Sequence, residues 1–282
     1  MSTELAGKTF VITGANTGIG RITATDLARR GAHVILACRS QAKTQPVIDA
    51  IKTETGNDHV EFVALDLGDL SSVRTAAAEI LAKNIPIHGL INNAGLAARG
   101  QTKDGFELTF GTNHLGHYLF TRLLLDRMKE AGTARIVNVS SASHFRAKTI
   151  DFDAQQKPTK SITAMSEYEV SKLANVLFTK ELARRLAGTG ITTYAVHPGV
   201  VATDVWRRIP PPFRWLVKRF MLTPEQGAQS TIVAATDPAL ASHSGRYYSV
   251  GGKEKPPNKV SEDLQLAATL WNKSAEWTGL PA

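Results

Sequence analysis

The chain has 282 residues, of which 43% are hydrophobic and 21% are charged, the composition of an ordinary soluble globular protein. Its one cysteine, Cys38, excludes an intrachain disulfide and a cysteine-based metal cluster. The net charge of +8 permits an anionic partner, but the basic residues form no nucleic-acid motif, so we expect none to bind. We expect a cytoplasmic protein, because residues 1–10 carry no apolar signal core and no apolar run of about 18 residues occurs.

Short apolar runs alternate with helix-like stretches along the first two thirds of the chain. The strands are predicted at 10–12, 33–37, 60–64, 89–91, 135–139 and 191–196, and the helices at 18–30, 41–55, 69–84, 109–130 and 167–186. Apolar strands separated by helices are typical of a parallel sheet covered on both faces. No linker rich in proline, glycine or serine divides the chain, so we expect one α/β domain over residues 1–282, with apparent insertions at 143–166 and 205–222.

Tyr168 and Lys172 lie four residues apart in a predicted helix, so their side chains share one face. A phenol titrates near pH ~10 and is a poor base at neutral pH, but a nearby cation favours the phenolate and lowers that pKa. The pair is therefore able to carry a proton to or from a substrate oxygen. Because this spacing is usually a plain helix surface, the interpretation depends on the rest of the chain.

A glycine-rich segment, T-G-A-N-T-G-I-G at 13–20, joins the first predicted strand to the first helix. A phosphate-binding turn belongs there, because glycines allow close backbone approach and the helix N-terminus favours a pyrophosphate. The spacing is G-x-x-x-G-x-G rather than the commoner G-x-G-x-x-G. We predict dinucleotide contacts by Gly14, Asn16, Thr17, Gly18, Ile19 and Gly20.

The residues after two further predicted strands also indicate a dinucleotide-binding cleft. Asp66 and Leu67 follow the third predicted strand, where the Asp66 carboxylate would meet an adenine amino group. The fourth strand is followed by small residues that would line the cleft. The predicted cofactor contacts here are Asp66, Leu67, Asn93, Ala94 and Gly95.

The second strand indicates which dinucleotide binds. An NAD site needs an acid about 20 residues after the glycine turn to accept from the ribose 2′-hydroxyl. No acid occurs between His33 and Val47; Arg39 instead offers a cationic fork suited to a 2′-phosphate, and Arg21 adds charge. We therefore predict NADP(H) rather than NAD(H), the alternative for Arg39 being a solvated residue at a strand end.

With these residues in place, the chain resembles the short-chain dehydrogenase/reductase family. The motifs that carry the resemblance are T-G-x-x-x-G-I-G at 13–20, N-N-A-G at 92–95, the serine pair at 140–141, Y-x-x-x-K at 168–172 and P-G at 198–199. The stretches 113–117, 171–175 and 194–201 and the long gap between Ser141 and Tyr168 resemble the retinol dehydrogenase branch. The resemblance implies a single-domain Rossmann fold, doubly wound, with a mostly parallel seven-stranded sheet and helices on both faces.

The resemblance also implies four catalytic roles. Tyr168 would be the general acid/base, and Lys172 would lower its pKa and hold the nicotinamide ribose. Ser141, rather than its neighbour Ser140, would hydrogen-bond the substrate oxygen and steady the developing charge. Asn113 would hold a water that links Lys172 to solvent; its alternative role is that of a helix-packing side chain.

Residues 205–222 follow a turn in which the resemblance assigns Val201 and Thr203 to the cofactor, and it places this segment over the substrate. The segment is rich in aromatic and cationic side chains and is divided by three successive prolines. It is interpretable as a mobile lid over an apolar substrate, as a weak contact with an anionic membrane surface, or as a packed or interface helix.

Four histidines invite other interpretations. His114 and His117 lie three apart on a helix, but no third ligand is evident and the resembled family uses no catalytic metal, so we predict no metal site. His144 and His197 lie near the expected cleft, and we expect structural roles for both.

Together these features predict an NADP(H)-dependent oxidoreductase that interconverts a carbonyl, aldehyde or ketone, and an alcohol, on a small apolar substrate. Reduction of an activated carbon–carbon double bond is one alternative. A catalytically weak dinucleotide-sensing regulator is another, although such a sensor needs no proton donor like Tyr168. The resemblance further implies a homo-oligomer, dimer or tetramer, formed through the helices at 109–130 and 167–186.

Overall fold

The computed structural model describes residues 3–199 and 222–282. The strands in these residues are β1 Thr9–Thr13, β2 His33–Cys38, β3 Val60–Ala64, β4 Gly89–Asn92, β5 Ala134–Val139, β6 Ile191–Val196, β7 Arg246–Ser249 and β8 Lys253–Glu254. They form one sheet in the order β3-β2-β1-β4-β5-β6-β7-β8. Strands β1 to β7 pair in parallel, and β8 pairs antiparallel with β7.

Eight α-helices lie in the described ranges: α1 Gly18–Arg29, α2 Gln41–Thr55, α3 Leu70–Ala82, α4 Leu108–Phe110, α5 Gly116–Glu130, α6 Met165–Arg185, α7 Pro224–Thr236 and α8 Leu264–Thr278. A π-helical turn, Gly111–Leu115, joins α4 to α5. Side-chain caps fix several helix starts: Asp69 accepts from Ser71 N, and Thr223 and Gln226 form a capping box. Within these same ranges, no helix has both the length and the apolar character needed to cross a bilayer.

The predicted fold class is confirmed, but the sheet has eight strands where seven were expected. The additional strand, β8, pairs Tyr248 with Glu254 and Ser249 with Lys253. A strand of two exposed residues has no apolar alternation that a sequence pattern would reveal. It forms because Gly251 and Gly252, at φ of 69° and 73°, adopt the left-handed conformation needed to reverse the chain.

The core consists of two apolar layers, one on each face of the sheet. Successive residues of β1 point to opposite faces, so Val11 joins the layer under α3, α5 and α6. Ile12 joins the layer under α1, α2 and α7. Both side chains are fully buried, which stabilises the fold by roughly 1.5–3 kcal/mol each.

The order of the strands places a crevice at the carboxyl ends of β1 and β4. The chain winds outward from β1 through β2 to β3, and then in the opposite direction from β4 through β5 to β6. Ligands of open α/β sheets bind where the winding reverses in this way. Thr13 ends β1 and Asn92 ends β4, so the loops that follow these two residues form the walls of the crevice.

The C-terminal helix α8 packs across α5 and α6. The ring of Trp271 lies 5.2 Å from Tyr118 at a steep angle and 6.1 Å from the stacked ring of Phe178. The guanidinium groups of Arg122 and Arg185 lie 4.7 and 4.2 Å from the Trp271 ring. Helix α8 therefore covers part of the two helices through which an oligomer was expected to form, and the homo-oligomer stays a prediction.

Candidate active site

The glycine-rich turn packs directly against the loop that follows β4. Gly14 has a φ of +63°, and a Cβ there would lie 2.9 Å from the Cβ of Ala94. A Cβ on Gly20 would lie 2.5 Å from Nδ2 of Asn93. Any side chain at these two positions would separate the turn from the loop, so glycine is required by the packing itself.

The amino end of α1 offers a place for an anionic group. Thr17 precedes the helix in an extended conformation, and its side chain makes no capping bond to the first turn. The first amide groups of a helix have no intrahelical partner and carry a partial positive charge. Gly18 begins the helix at a φ of +53°, and Asn16 and Ile19 are half-buried beside the turn. This arrangement fits a dinucleotide pyrophosphate.

Two cations lie beside the turn. Arg39 follows β2 and Arg21 lies in the first turn of α1, and both are exposed. Neither guanidinium has an ion-pair or hydrogen-bond partner among residues 3–199 and 222–282. The amide of Gly14 donates to the carbonyl oxygen of Ala37 at 2.9 Å, which fixes the turn against the end of β2. As far as the described residues go, both arginines are left for an anionic ligand at this edge.

Asp66 and Leu67 follow β3 at the same edge of the sheet. Asp66 is half-buried, and its carboxylate accepts from the amide of Gly68 at 2.9 Å. Leu67 is buried, and a Cβ on Gly116 would lie 2.4 Å from its carbonyl oxygen. Leu67 therefore anchors the loop on α5, while the contact of Asp66 with an adenine group stays a prediction.

Ser141 and Tyr168, two residues of the predicted site, lie close to each other. The side chain of Ser141 lowers the pKa of Tyr168, and Ser141 Oγ donates to Ser143 Oγ at 3.3 Å and accepts from the amide of Ser143 at 3.2 Å. The neighbouring Ser140 is buried, and its hydroxyl donates to the carbonyl oxygen of Lys172 at 2.8 Å. The hydroxyl of Ser140 is therefore used inside the protein, and the role of Ser141 at the substrate oxygen stays a prediction.

Burial, rather than the lysine cation, dominates the titration of Tyr168. Lys172 Nζ lies 5.4 Å from the centroid of the Tyr168 ring. Burial nevertheless raises the pKa of Tyr168 above its usual value, against a smaller lowering caused by the side chain of Ser141. The expected lowering of the pKa by Lys172 is thus not observed. At neutral pH Tyr168 is a protonated phenol, the form that donates a proton to a carbonyl oxygen.

Lys172 is held at the bottom of the crevice. Its Nζ donates to the carbonyl oxygen of Val139 at 2.9 Å, and burial lowers its pKa to about 8. The group is still predominantly an ammonium at neutral pH, with N–H groups left for a ligand. A Cβ on Gly95 would lie 3.3 Å from Nζ and 3.4 Å from Oδ1 of Asn113, so Gly95 leaves the space beside the cation open.

The side chain of Asn113 is hydrogen-bonded within the protein at both of its polar atoms. Its Oδ1 accepts from the amide of Leu96 at 2.8 Å, and its Nδ2 donates to the carbonyl oxygen of Leu96 at 2.9 Å and to Ser171 Oγ at 3.0 Å. The side chain therefore clamps the loop after β4 to α6. The water relay predicted for Asn113 stays a prediction.

The histidines have separate partners. His114 Nε2 lies 3.0 Å from the hydroxyl of Ser274 in α8, whereas His117 Nε2 lies 2.8 Å from Thr13 Oγ1 at the end of β1. The two rings thus face different elements. In the parts of the chain that the structure describes, no three His, Cys, Asp or Glu residues are grouped to hold a metal.

His144 has a structural role, as expected, and it identifies a residue that sequence reasoning missed. Its Nδ1 donates to the carbonyl oxygen of Ser141 at 2.6 Å, and its Nε2 accepts from the amide of Asn258 at 3.1 Å. Asn258 also donates to the carbonyl oxygen of Ala147 at 2.9 Å. No local pattern around Asn258 indicates this long-range contact. His197 Nδ1 accepts from the amide of Gly199 at 3.3 Å.

Three sequence predictions lie outside the described residues. They are the cofactor contacts of Val201 and Thr203 and nearly all of the segment at 205–222.

A glycine-rich helix N-terminus at the reversal of the sheet, beside Ser141, Tyr168 and Lys172, defines a dinucleotide-dependent oxidoreductase. The family model described as "short chain dehydrogenase" matches residues 8–212, and the chain belongs to this family. Human retinol dehydrogenase 13 is 44% identical over 99% of this chain and 86% of the relative. Human retinol dehydrogenase 11 is also 44% identical, over 99% of this chain and 88% of the relative. The chain therefore falls in the retinol dehydrogenase-like branch.

Solved structures show the same fold. An uncharacterized protein from Mycobacterium Paratuberculosis matches 100% of this chain and 97% of its own, with 36% identity and a TM-score of 0.77. A 3-ketoacyl-(acyl-carrier-protein) reductase from Brucella melitensis, complexed with NADH, matches 88% of this chain and 98% of its own, with 27% identity and a TM-score of 0.68. A protein from Beutenbergia cavernae, solved with NADP bound at low occupancy, matches 89% of this chain and 98% of its own, with 29% identity and a TM-score of 0.72. The chain is an oxidoreductase of alcohol and carbonyl groups that uses NAD(P)(H).

Proposed function

We propose that the protein interconverts a carbonyl compound, an aldehyde or a ketone, and its alcohol with NADP(H), with Tyr168 as the general acid and base. The observation that carries the proposal is the position of the Lys172 ammonium, 5.4 Å from the centroid of the Tyr168 ring, with the side chain of Ser141 close enough to Tyr168 to lower its pKa. A proton donor, a second donor to the same oxygen and a fixed cation are the groups that carbonyl reduction requires of a protein.

Each of the three groups has a separate task. Tyr168 gives its proton to the substrate oxygen as negative charge develops there. Ser141 donates a hydrogen bond to the same oxygen, and the ammonium of Lys172 holds the hydroxyls of the nicotinamide ribose. A bound nicotinamide dinucleotide supplies the hydride in reduction and accepts it in alcohol oxidation. In oxidation the same residues act in reverse, with the phenolate as the base.

The choice of NADP(H) is supported by the charges at the edge of the crevice. Arg39 and Arg21 are exposed cations without partners among the described residues, and they lie beside the turn that receives the dinucleotide. A ribose 2′-phosphate offers these guanidinium groups a doubly charged partner, whereas a ribose hydroxyl would leave them unused.

An apolar substrate is supported by the side chains around Ser141 and Gly199. Phe145 is 51% exposed, four residues after Ser141, and Val250 is 38% exposed beside Gly199. Large exposed apolar side chains near a cleft are typical of sites for apolar ligands. The names of the relatives add weight, because a retinol dehydrogenase acts on a lipophilic alcohol.

The test is consumption of NADPH, compared with NADH, against a panel that extends from small ketones to retinal and long-chain aldehydes. We expect turnover with NADPH, a preference for the lipophilic carbonyls, and loss of turnover in Tyr168→Phe. Preference for NADH would contradict the roles of Arg39 and Arg21. Cofactor binding without any turnover would contradict the proposed reaction.

A further inference from the structure

One continuous series of hydrogen bonds joins the loop after β4 to the π-helical turn. Thr13 Oγ1 accepts from the backbone amides of Asn93 at 2.9 Å and Ala94 at 3.0 Å. The same hydroxyl lies 2.8 Å from Nε2 of His117. On the other side of the ring, His117 Nδ1 lies 3.0 Å from the carbonyl oxygen of Asn113.

The partners fix the direction of every bond in the series. A carbonyl oxygen only accepts, so the hydrogen of the His117 ring must be on Nδ1. Burial lowers the pKa of His117 to about 4, so the ring is neutral at neutral pH and Nε2 is an acceptor. Thr13 has one hydroxyl hydrogen, which points to Nε2 because the alternative acceptor, the Ile91 carbonyl, is 3.5 Å away. While the ring stays neutral, the donor and the acceptor of each hydrogen bond in the series cannot exchange roles.

The two ends of the series lie in the loop after β4 and in the π-helical turn beside it. Asn93 and Ala94 belong to the part of the loop that packs against the glycine-rich turn. The side chain of Asn113 clamps Leu96, further along the same loop, to α6, next to the space that Gly95 leaves beside Lys172. His117 therefore joins the part of the loop that faces the glycine-rich turn to the π-helical turn beside Lys172.

We propose that His117 is a positioning residue that couples the cofactor-binding loop to the backbone carbonyl of Asn113, through a donor at Nδ1 and an acceptor at Nε2. The inference builds on the proposed function, because it assigns each half of the imidazole ring to one part of that reaction. The Nε2 half holds Thr13 and thereby the loop that faces the dinucleotide. The Nδ1 half holds the Asn113 carbonyl in the turn beside Lys172.

Two substitutions separate the two halves of the ring. His117→Asn places an amide donor near the position of Nδ1 and removes the acceptor for Thr13. His117→Gln reaches the position of Nε2 with an amide oxygen and removes the donor to Asn113. His114→Asn is the matched control, because His114 is equally buried in the same helical stretch but contacts Ser274 in α8 instead of the crevice.

The experiment measures the dissociation constant of NADPH, the kcat and the thermal midpoint for the wild type and the three variants. We expect His117→Asn to weaken NADPH binding about fivefold to tenfold with little change in kcat, the effect of one lost hydrogen bond. We expect His117→Gln to lower kcat by a similar factor with little change in NADPH binding. We expect His114→Asn to lower the thermal midpoint alone. Equal effects of both His117 variants on binding and kcat, or no effect of either, would overturn the proposal.

A spectroscopic measurement tests the proposal without any turnover. In the ¹⁵N-histidine NMR spectrum we expect His117 as the neutral tautomer with hydrogen on Nδ1 throughout the range from about pH 5 to 8. The opposite tautomer, or a titration within that range, would contradict the assignment. If the wild type turned over no carbonyl in the panel, the proposed function would fail, while the NADPH affinities and the tautomer would still decide the role of His117.

Discussion

Lys172 Nζ donates to the backbone carbonyl oxygen of Val139 at 2.9 Å, which ties helix α6 to the end of strand β5. Asn175, one turn further along α6, donates to the same oxygen at 3.1 Å. The ammonium is thereby fixed in a buried position that lowers its pKa to about 8. A buried cation with a lowered pKa destabilises the fold, and such groups are typical of functional sites.

Replacement of Lys172 should therefore increase stability and abolish activity. Lys172→Met keeps the length and apolar stem of the side chain and removes the buried charge. We expect the free energy of unfolding without cofactor to rise by about 2 kcal/mol at neutral pH, and carbonyl reduction to be lost. Urea unfolding and NADPH turnover check the two parts. A large loss of stability would show that the hydrogen bond from Lys172 to the Val139 carbonyl oxygen outweighs the cost of burying the ammonium.

The difference in the free energy of unfolding between the wild type and Lys172→Met should depend on pH. The pKa of Lys172 is about 8 in the folded protein and 10.5 as an ordinary lysine. The burial cost is present in full below about 8, because the lysine is charged in both states, and it disappears above 10.5, where neither state is charged. The wild type should therefore gain stability relative to Lys172→Met as the pH rises through this window. Urea unfolding of both proteins at the two ends of the window checks the sign.

Removal of the Tyr168 hydroxyl should stop the chemistry and spare the cofactor site. We expect Tyr168→Phe to lower kcat about 10²-fold to 10⁴-fold, because it removes the general acid. The control is Tyr247→Phe, since the Tyr247 hydroxyl is buried and has no hydrogen-bond partner within the described ranges. That control should keep its activity and equal or exceed the wild type in stability. Turnover of Tyr168→Phe near the wild-type rate would assign proton transfer to another group.

Much of the fold could be predicted because its signals are local. The bounds predicted for β3, β6 and α2 agree with the structure. Apolar strands and helix caps depend on residues that are neighbours in the chain, so a sequence pattern shows them. Helices α7 and α8 were not predicted, and the packing of α8 against α5 and α6 depends on contacts between residues far apart in the chain. The predicted helix at 109–130 is interrupted by the π-helical turn Gly111–Leu115, for which the residues give no periodic signal.

The candidate site likewise has features that the sequence predicts and features that it does not. The positions of Gly14, Ser141, Tyr168 and Lys172 follow from motifs, and the structure brings Ser141, Tyr168 and Lys172 together. The Val139 carbonyl that holds Lys172 is a backbone atom, which no sequence motif records. The pKa of Tyr168 depends on burial, which the spacing of two residues in a helix does not reveal.

Reversal of the charge at Arg39 should change the cofactor preference. In Arg39→Asp, the carboxylate would repel a 2′-phosphate and accept from a 2′-hydroxyl. We expect the preference for NADPH over NADH, measured as the ratio of kcat/KM values, to fall about tenfold to a hundredfold, the effect of one charge-assisted hydrogen bond. Arg29→Ala is the control, because Arg29 is exposed in the last turn of α1 and pairs with Glu54. An unchanged ratio in Arg39→Asp would show that Arg39 is only a solvated strand-end residue.

Substitution of Trp271 tests whether α8 covers a surface through which copies of the chain would otherwise associate. Trp271→Ala removes the ring that contacts the guanidinium groups of Arg122 and Arg185 and packs on Tyr118 and Phe178. We expect a loss of about 3–5 kcal/mol in the free energy of unfolding. We also expect concentration-dependent association in sedimentation experiments, because apolar side chains of α5 and α6 become exposed.

Trp271→Phe is the matched control for this prediction, because it keeps an aromatic ring in the same place and removes an indole nitrogen that has no partner among the described residues. Its stability should lie between those of the wild type and Trp271→Ala, with no new association. If the wild type is an oligomer and Trp271→Ala dissociates it, helix α8 itself forms the contact between copies. If both variants keep the wild-type assembly and only stability changes, the oligomer uses a surface away from the Trp271 side of α5 and α6.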